Sequence, residues 1–459
     1  MNQKAKIFDV VRRSIEGPIV SEQDFDMKHI YQNLKKIVKK YDIKIESESI
    51  INFNDELADR VWNAAIEFLS KSGVYCKDTG RIVQYTEDEI RQSIRMAPDH
   101  AVFGEGNDTV HEYARTADDP RPPVNLGGSV NVPCPNEYFV PIMLSYMQEP
   151  RVDFHCPTTN LTTINGIELR TRTPLEIFAA YEEVQLFRHV AAMSGRAGMP
   201  YNGVGISVSD VGELSASHLM KKTDSHSIGV ISELKFDNAI MNKITQCVML
   251  DHQVMPYANP IYGGLGGGLN TQVVLLTAEM IALSIIFMGT TVGTTPTHPN
   301  LFCSTTKELL QMTSVAFQAI SRNSHIMTRL THTMVGGLAT KTFLYEIIAS
   351  CLVATKSGLA RLQGPRAATG AITGACSGLE ARFQGEVLHA AVKISREKAE
   401  EIVQKAYALY KDDLDKKPYG KPFWEVYDVK TIQPKQEWLD VYNEVRAEAI
   451  SWGLPLDEV

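Results

Sequence analysis

The feature that most constrains this chain is an alternation after residue 172 of helical stretches with short apolar or glycine-rich pieces. Thr173-Pro-Leu-Glu176 has the form of a capping box with proline at the first helical position and launches EIFAAYEEVQLFRHVAAM; Thr305-Thr-Lys-Glu308 launches a second such helix. Between the helices lie GVGISVS, HSIGVISEL, MPYANPIYGGLGGG and HIMTRLTHTMVGG. Helices separated by short strands and glycine turns make βα units around a parallel sheet. The stretch from 96 to 394 is long enough for eight units of ordinary size, so the expected fold is an α/β chain with a (β/α)8 barrel of the TIM type. A doubly wound sheet also fits, but neither GxGxxG nor GxxxxGK[ST] occurs, so its nucleotide-binding versions lose support. GGLGGG at 263–268 reads as a tight strand-to-helix turn.

The flanks read differently. Residues 22–95 carry helical periodicity: Leu57, Val61, Ala65 and Leu69 recur every four residues, with Asn54 to cap the start, Gly73 to end it, and a capping box at Thr86-Glu-Asp-Glu89. From 96 to 172 proline, glycine and short apolar runs predict strands and long loops with little helix. SREKAEEIVQKAYALYKDD opens an amphipathic tail. The expected organisation is an N-terminal helical layer over 1–95, a barrel core over 96–394 and a C-terminal helical extension over 395–459 packed on the barrel.

Composition narrows the function. Of 459 residues 44% are hydrophobic and 22% charged, as in a globular protein with a large core. With 46 basic against 54 acidic residues the net charge is -8, which disfavours nucleic acid or an anionic membrane as main partner. Seven cysteines stand singly without a CxxC pair, so neither a disulfide framework nor a zinc ribbon is written here, and a reducing cytoplasm suits them. The N-terminus reads as no secretion signal. The most apolar window, 273–289, carries Glu279 at its middle and reads as a buried helix.

Barrel chemistry sits on the loops after the strands. The polar and aromatic residues of the glycine-rich connections are therefore the candidates: Tyr201, Asn202, His226, Tyr257, Tyr262, His298, Thr331, His332 and Thr333. Each has a bland alternative, packing for a tyrosine and a structural hydrogen bond for a histidine. A zinc site from His226, His298, His332 and Cys303 is possible by ligand type, but the spacing matches no familiar motif and the expectation is no metal. Cys156 beside His155 would suit a base-activated nucleophile, except that strand neighbours point to opposite faces. Glu380 and Arg382 suit an ion pair.

Several stretches, GVYCKDTGRIVQYTEDEI, TPLEIFAAYEEVQLFRHVAAMSGRAGM, TDSH, SELKFD, NPIYGGLGGG, GLEARFQGEV and YDVKT, run in order from 73 to 431. In them the chain resembles the monomethylamine methyltransferases over nearly its whole length. The resemblance implies a (β/α)8 barrel in a homo-oligomer that docks a separate small corrinoid protein and passes a methyl group to its Co(I). No cofactor is then bound permanently, since the corrinoid belongs to the partner.

The resemblance also marks departures. Where the family carries pyrrolysine, whose ring captures the amine, this chain reads Met199-Pro-Tyr-Asn202-Gly. The glutamate after TDSH is Ser227, the acidic residue before the Pro-Ile-aromatic motif is Tyr257, and a later Gln and Tyr fall on Thr331 and Thr333. His226 and His298 match. Attack by Co(I) on a methyl carbon needs a leaving group, and a free primary amine leaves badly. The expected function is methyl transfer from a methylated amine or similar small donor, without pyrrolysine. Asn202 and His226 would be catalytic, with Tyr201, Tyr257, Tyr262, His298, Thr331 and Thr333 around the donor. The three tyrosines would cage a methylated cation. The alternatives are retained monomethylamine specificity, a non-catalytic paralogue that binds a corrinoid protein, and a zinc-dependent barrel methyltransferase.

Overall fold

The computed structural model describes residues 3–46, 48–128, 132–156, 161–203 and 209–458. Seven parallel strands form one curled sheet: β1 (Val124–Gly127), β2 (Phe154–His155), β3 (Ser225–Gly229), β4 (Gln253–Ala258), β5 (Thr291–Thr294), β6 (Met327–Thr333) and β7 (Arg361–Arg366). Their order is β2-β1-β7-β6-β5-β4-β3. The two edges are not left bare. Tyr201 forms a parallel bridge with His155 of β2, and Asn202 forms one with Ser225 of β3. The Asn202 amide donates to the His155 carbonyl at 2.9 Å, and the Ser225 amide to the Tyr201 carbonyl at 2.9 Å. The strand expected over GVGISVS falls largely on 204–208, outside the described residues.

Helices cover the outside of the sheet: α1 (Asn136–Met147), α2 (Pro174–Met193), α3 (Asp210–Ala216), α4 (Asn238–Met249), α5 (Leu269–Ile285), α6 (Lys307–Asn323), α7 (Lys341–Thr355) and α8 (Gly378–Ala391). GGLGGG is the turn between β4 and α5, and Gly263 and Gly267 there have φ of 77° and 74°, which a side chain would strain. α5 is buried from Gln272 to Ile285, Glu279 included. No helix among the described residues is long and apolar enough to cross a membrane.

Several local expectations hold. Asn54 accepts from the Leu57 amide, Gly73 ends the same helix with φ 64°, and both bonds of the Thr86–Glu89 capping box are present. Others need correction. Thr173 makes no side-chain cap bond; Glu176 instead receives the Ser209 hydroxyl at 2.7 Å. At α6 the N-cap is Thr306, because the Thr305 hydroxyl is taken by buried Glu346. Helix α1 stands where little helix was expected, since its β-branched and aromatic residues and internal Pro141 hide the helical period. A hairpin, Val74–Cys76 with Arg81–Val83, interrupts the N-terminal helices and is joined by Lys235–Phe236. Glu380 and Arg382 do not pair with each other: Glu380 closes a capping box with Ser377, while Arg382 bonds Glu386 at 3.0 Å.

A second hairpin, His100–Phe103 with Val110–Tyr113, closes the N-terminal end of the sheet's inner side. Its Glu112 receives Arg361 Nε of β7 at 2.8 Å and the Thr291 hydroxyl of β5 at 2.9 Å. The Arg361 guanidinium lies 4.5 Å from the Phe103 ring centre and 4.3 Å from that of Phe154. This floor packs with Val124, Leu126, Cys156 and Met327 as an inner core separate from the larger core between sheet and helices.

Candidate functional site

Period-two alternation sorts every strand into residues facing the inner side and residues facing the helices. Above the floor the inner residues are polar. Arg329 of β6 donates from Nη1 to the Thr331 hydroxyl at 2.6 Å, and Thr331 donates to Gln363 Oε1 of β7 at 3.3 Å. Gln363 Nε2 donates to the Cys156 sulfur at 3.0 Å. Asn202, across the ring, accepts the Ser225 hydroxyl at 2.6 Å. Tyr257 of β4 completes the circle with its ring centre 5.1 Å from the Arg329 guanidinium carbon. Gly293, the β5 partner of Arg329, has no Cβ, and the Arg329 guanidinium takes that place, with Nη2 and Nε 2.2 and 2.5 Å from where a Cβ would stand.

The electrostatics of this pocket are positive. Arg329 is 1% exposed, and burial lowers its pKa to about 10, so it stays charged at neutral pH. Its Nε and Nη2, like Asn202 Nδ2, have no hydrogen-bond partner among the described residues. Burial raises the Tyr257 phenol, while Arg329 and Arg366 both pull it down. Burial pushes the Cys156 thiol up to about 11 against the Asn202 amide and the Arg329 charge, so it is protonated at neutral pH. That removes it as a nucleophile.

Four of the eight residues given catalytic or donor-binding roles from the sequence meet here: Asn202, Tyr257, Thr331 and, two residues further along β6, Thr333. Tyr262 and His298 lie on the loops after β4 and β5, stacked with ring centres 6.4 Å apart. His298 Nδ1 accepts from the Asn300 and Leu301 amides at 3.3 and 3.2 Å, a loop-shaping role.

Tyr201 and His226 face the helices instead. The Tyr201 hydroxyl donates to buried Glu183 of α2 at 2.6 Å and its ring packs on Phe187. His226 Nδ1 meets Glu213 of α3, and Nε2 lies 2.9 Å from His252 Nδ1. Burial opposes a charge on His226, yet Cys247 and Glu213 hold its pKa well above the ordinary value. The tyrosine cage is corrected accordingly: Tyr201 points away, Tyr262 sits on a loop, and Arg329 already lies over Tyr257.

The zinc set is not assembled either. His332 faces the helices, 3.0 Å from Ser350 and 2.5 Å from Gln384 Oε1, and burial lowers its pKa to about 3. Cys303 is tied through its carbonyl to the His298 amide within their loop. Among the described residues, the group with ligand atoms within 4.8 Å of one another is Glu213, His226 and Cys247.

Arg329 and Gln363 were missed in the sequence reading. HIMTRLTHT held the signal, since counting back by two from Thr331 puts a lone arginine on the same side as the two threonines.

A parallel α/β enzyme scaffold with a polar inner pocket at the C-terminal ends of its strands is thus defined. The profile of the family "Monomethylamine methyltransferase MtmB" matches residues 5–454. The chain is 31% identical over 456 residues to monomethylamine methyltransferase MtmB2 of Methanosarcina barkeri (strain Fusaro / DSM 804), covering 97% of this chain and 98% of that one. It is 29% identical over 449 residues to MtmB of Methanosarcina mazei, with the same coverage. The crystal structure of the Methanosarcina barkeri monomethylamine methyltransferase superposes with a TM-score of 0.94 at 30% identity over 98% of each chain. The crystal structure of a hydroxylamine complex of MtmB gives the same values. The chain belongs to the monomethylamine methyltransferase family.

Proposed function

We propose that this protein transfers a methyl group from a small methylated donor, other than plain monomethylamine, to the Co(I) corrinoid of a separate corrinoid protein. The observation that carries this reading is the convergence of Asn202, Tyr257, Thr331 and Thr333 on one inner pocket, within a family match that spans the chain. The bridges of Tyr201 and Asn202 to both sheet edges support reading that segment as the eighth strand of a closed (β/α)8 barrel. Asn202 then stands on the inner side, at the position the family gives to pyrrolysine.

Asn202 has an amide and no electrophilic ring, so it holds a donor by hydrogen bonds and forms no adduct with an amine. The donor must therefore bring its own leaving group, as a quaternary ammonium or a sulfonium does. His226 takes no part at the reacting atoms in this scheme, because it faces α3 and α4.

The test is cobalt methylation. A Co(I) corrinoid protein is mixed with the enzyme and separate donors, and its absorbance is followed. Turnover with activated donors and none with monomethylamine is the expected result. Turnover with monomethylamine overturns the leaving-group argument, and silence with every donor favours a non-catalytic, corrinoid-protein-binding role.

A further inference from the structure

Away from the inner pocket, on the helix side of the sheet, side chains of metal-ligand type from separate elements converge. Glu213 comes from α3, His226 from β3 and Cys247 from α4, and each is buried. Their ligand atoms all lie within 4.8 Å of one another. Zinc bonds of about 2.0–2.3 Å hold tetrahedral ligand atoms roughly 3.3–3.6 Å apart, so side-chain movements of about an ångström seat an ion among them. The set carries two negative charges, on the Glu213 carboxylate and on Cys247 as the thiolate that a metal takes, and a divalent ion neutralises both. In a dry site that balance matters, because an uncompensated charge there is costly.

We propose that Glu213, His226 and Cys247 form a structural site for one divalent ion of the late first-row metals, zinc by preference. The thiolate disfavours calcium and magnesium, which take oxygen ligands. The far side of the imidazole supports the assignment. His226 presents Nδ1 to Glu213 and Nε2 to His252 Nδ1, 2.9 Å away. With the ion on Nδ1, Nε2 carries the proton and donates to the neutral His252 ring, the outer partner that a metal-bound imidazole ordinarily has. His252 is itself placed by Cys247, whose carbonyl accepts its amide at 2.9 Å, and it is half-buried, linking the cluster to the surface. An ion here ties α3 and α4 to β3. The residue before His226 on that strand is Ser225, whose hydroxyl holds Asn202 at 2.6 Å on the inner side.

The experiment strips the full-length protein with a chelator under reducing conditions and titrates it with aqueous Co2+ and then Zn2+, with no corrinoid present. One Co2+ per chain should bind with a thiolate-to-cobalt charge-transfer band and the strong visible absorption of a four-coordinate ion, and Zn2+ should displace it. Zinc should also raise the Tm by at least about 2 °C. Cys247→Ala should abolish the band and weaken zinc binding at least about tenfold, the least that losing even an outer partner costs. The proposal is overturned by an absence of stoichiometric binding, by a pale six-coordinate spectrum without the band, by a band that survives in Cys247→Ala, or by an unchanged Tm. If the variant fails to fold, X-ray absorption at the zinc edge of the loaded wild-type protein decides. One sulfur at about 2.3 Å beside nitrogen and oxygen at about 2.0–2.2 Å supports the site, and a shell with no sulfur, or with more than one, refutes it.

Discussion

Two arginines on neighbouring strands of one pocket are treated in opposite ways. Arg361 is 0% exposed, like its partner Glu112, and its guanidinium lies against the rings of both Phe103 and Phe154. Arg329, its register partner, has only the Thr331 hydroxyl as a hydrogen-bond partner among the described residues. Glu112→Gln should therefore leave a buried cation uncompensated at the floor and destabilise the fold by about 3–5 kcal/mol in urea unfolding. Adding Arg361→Met should recover part of that loss, and a single variant as stable as the parent would mean that the floor does not depend on the pair. The residue scale is also where sequence reading stops. Tyr201 and Asn202 are adjacent, as are His226 and Ser227, and an alternation of two says that neighbours face opposite ways without saying which way is inward. Asn202, Tyr257, Thr331 and Thr333 were legible as loop-proximal polar residues. Tyr201 and His226 were chosen by the same rule, and only the bonds to Glu183 and Glu213 reveal the phase.

At the scale of elements, punctuation was more legible than partnership. Asn54, Gly73 and the Thr86 box act as their residue types dictate, because those ends are local. Thr173 and Thr305 have the same spacing to a glutamate, yet tertiary neighbours intervene: Glu176 is drawn to Ser209, and Thr305 to Glu346. Thr86→Ala should cost about 0.5–2 kcal/mol, whereas Thr173→Ala, which removes no cap bond, should cost under about 0.5 kcal/mol. Paired denaturation curves would check this, and equal costs would mean that Thr173 caps α2 in solution after all. Helix α1 and the Val74–Val83 hairpin were missed for a related reason. Pro141 breaks the one pattern, and the other strands are three residues each, too short to alternate visibly.

For the whole molecule the question is whether the N-terminal helices are an attachment or part of the core. α5 is buried along both its sheet side and its outer side, which no helix achieves against a sheet alone. The outer cover is the helix Asp55–Ser72, whose Leu57, Val61, Ala65, Phe68 and Leu69 are buried and which packs on α5 and α6. The segment leading into it is pinned from two sides. Glu400 of the C-terminal helix Arg396–Tyr410 accepts the amides of Ile50 and Ile51 at 2.9 and 2.7 Å, and Asn52 exchanges hydrogen bonds with Gln318 of α6 at 2.7 and 3.0 Å. One hydrophobic cluster accordingly runs from Ile7 to Leu456. A chain beginning at residue 96 would expose the outer side of α5, an apolar surface too large for a stable monomer to leave in water. It should lose near-ultraviolet circular dichroism, bind a hydrophobic dye and aggregate on concentration, while the full chain unfolds in one cooperative step. A truncated protein that stays soluble with a native near-ultraviolet spectrum would show that the layer is dispensable, and that α5 finds its cover elsewhere.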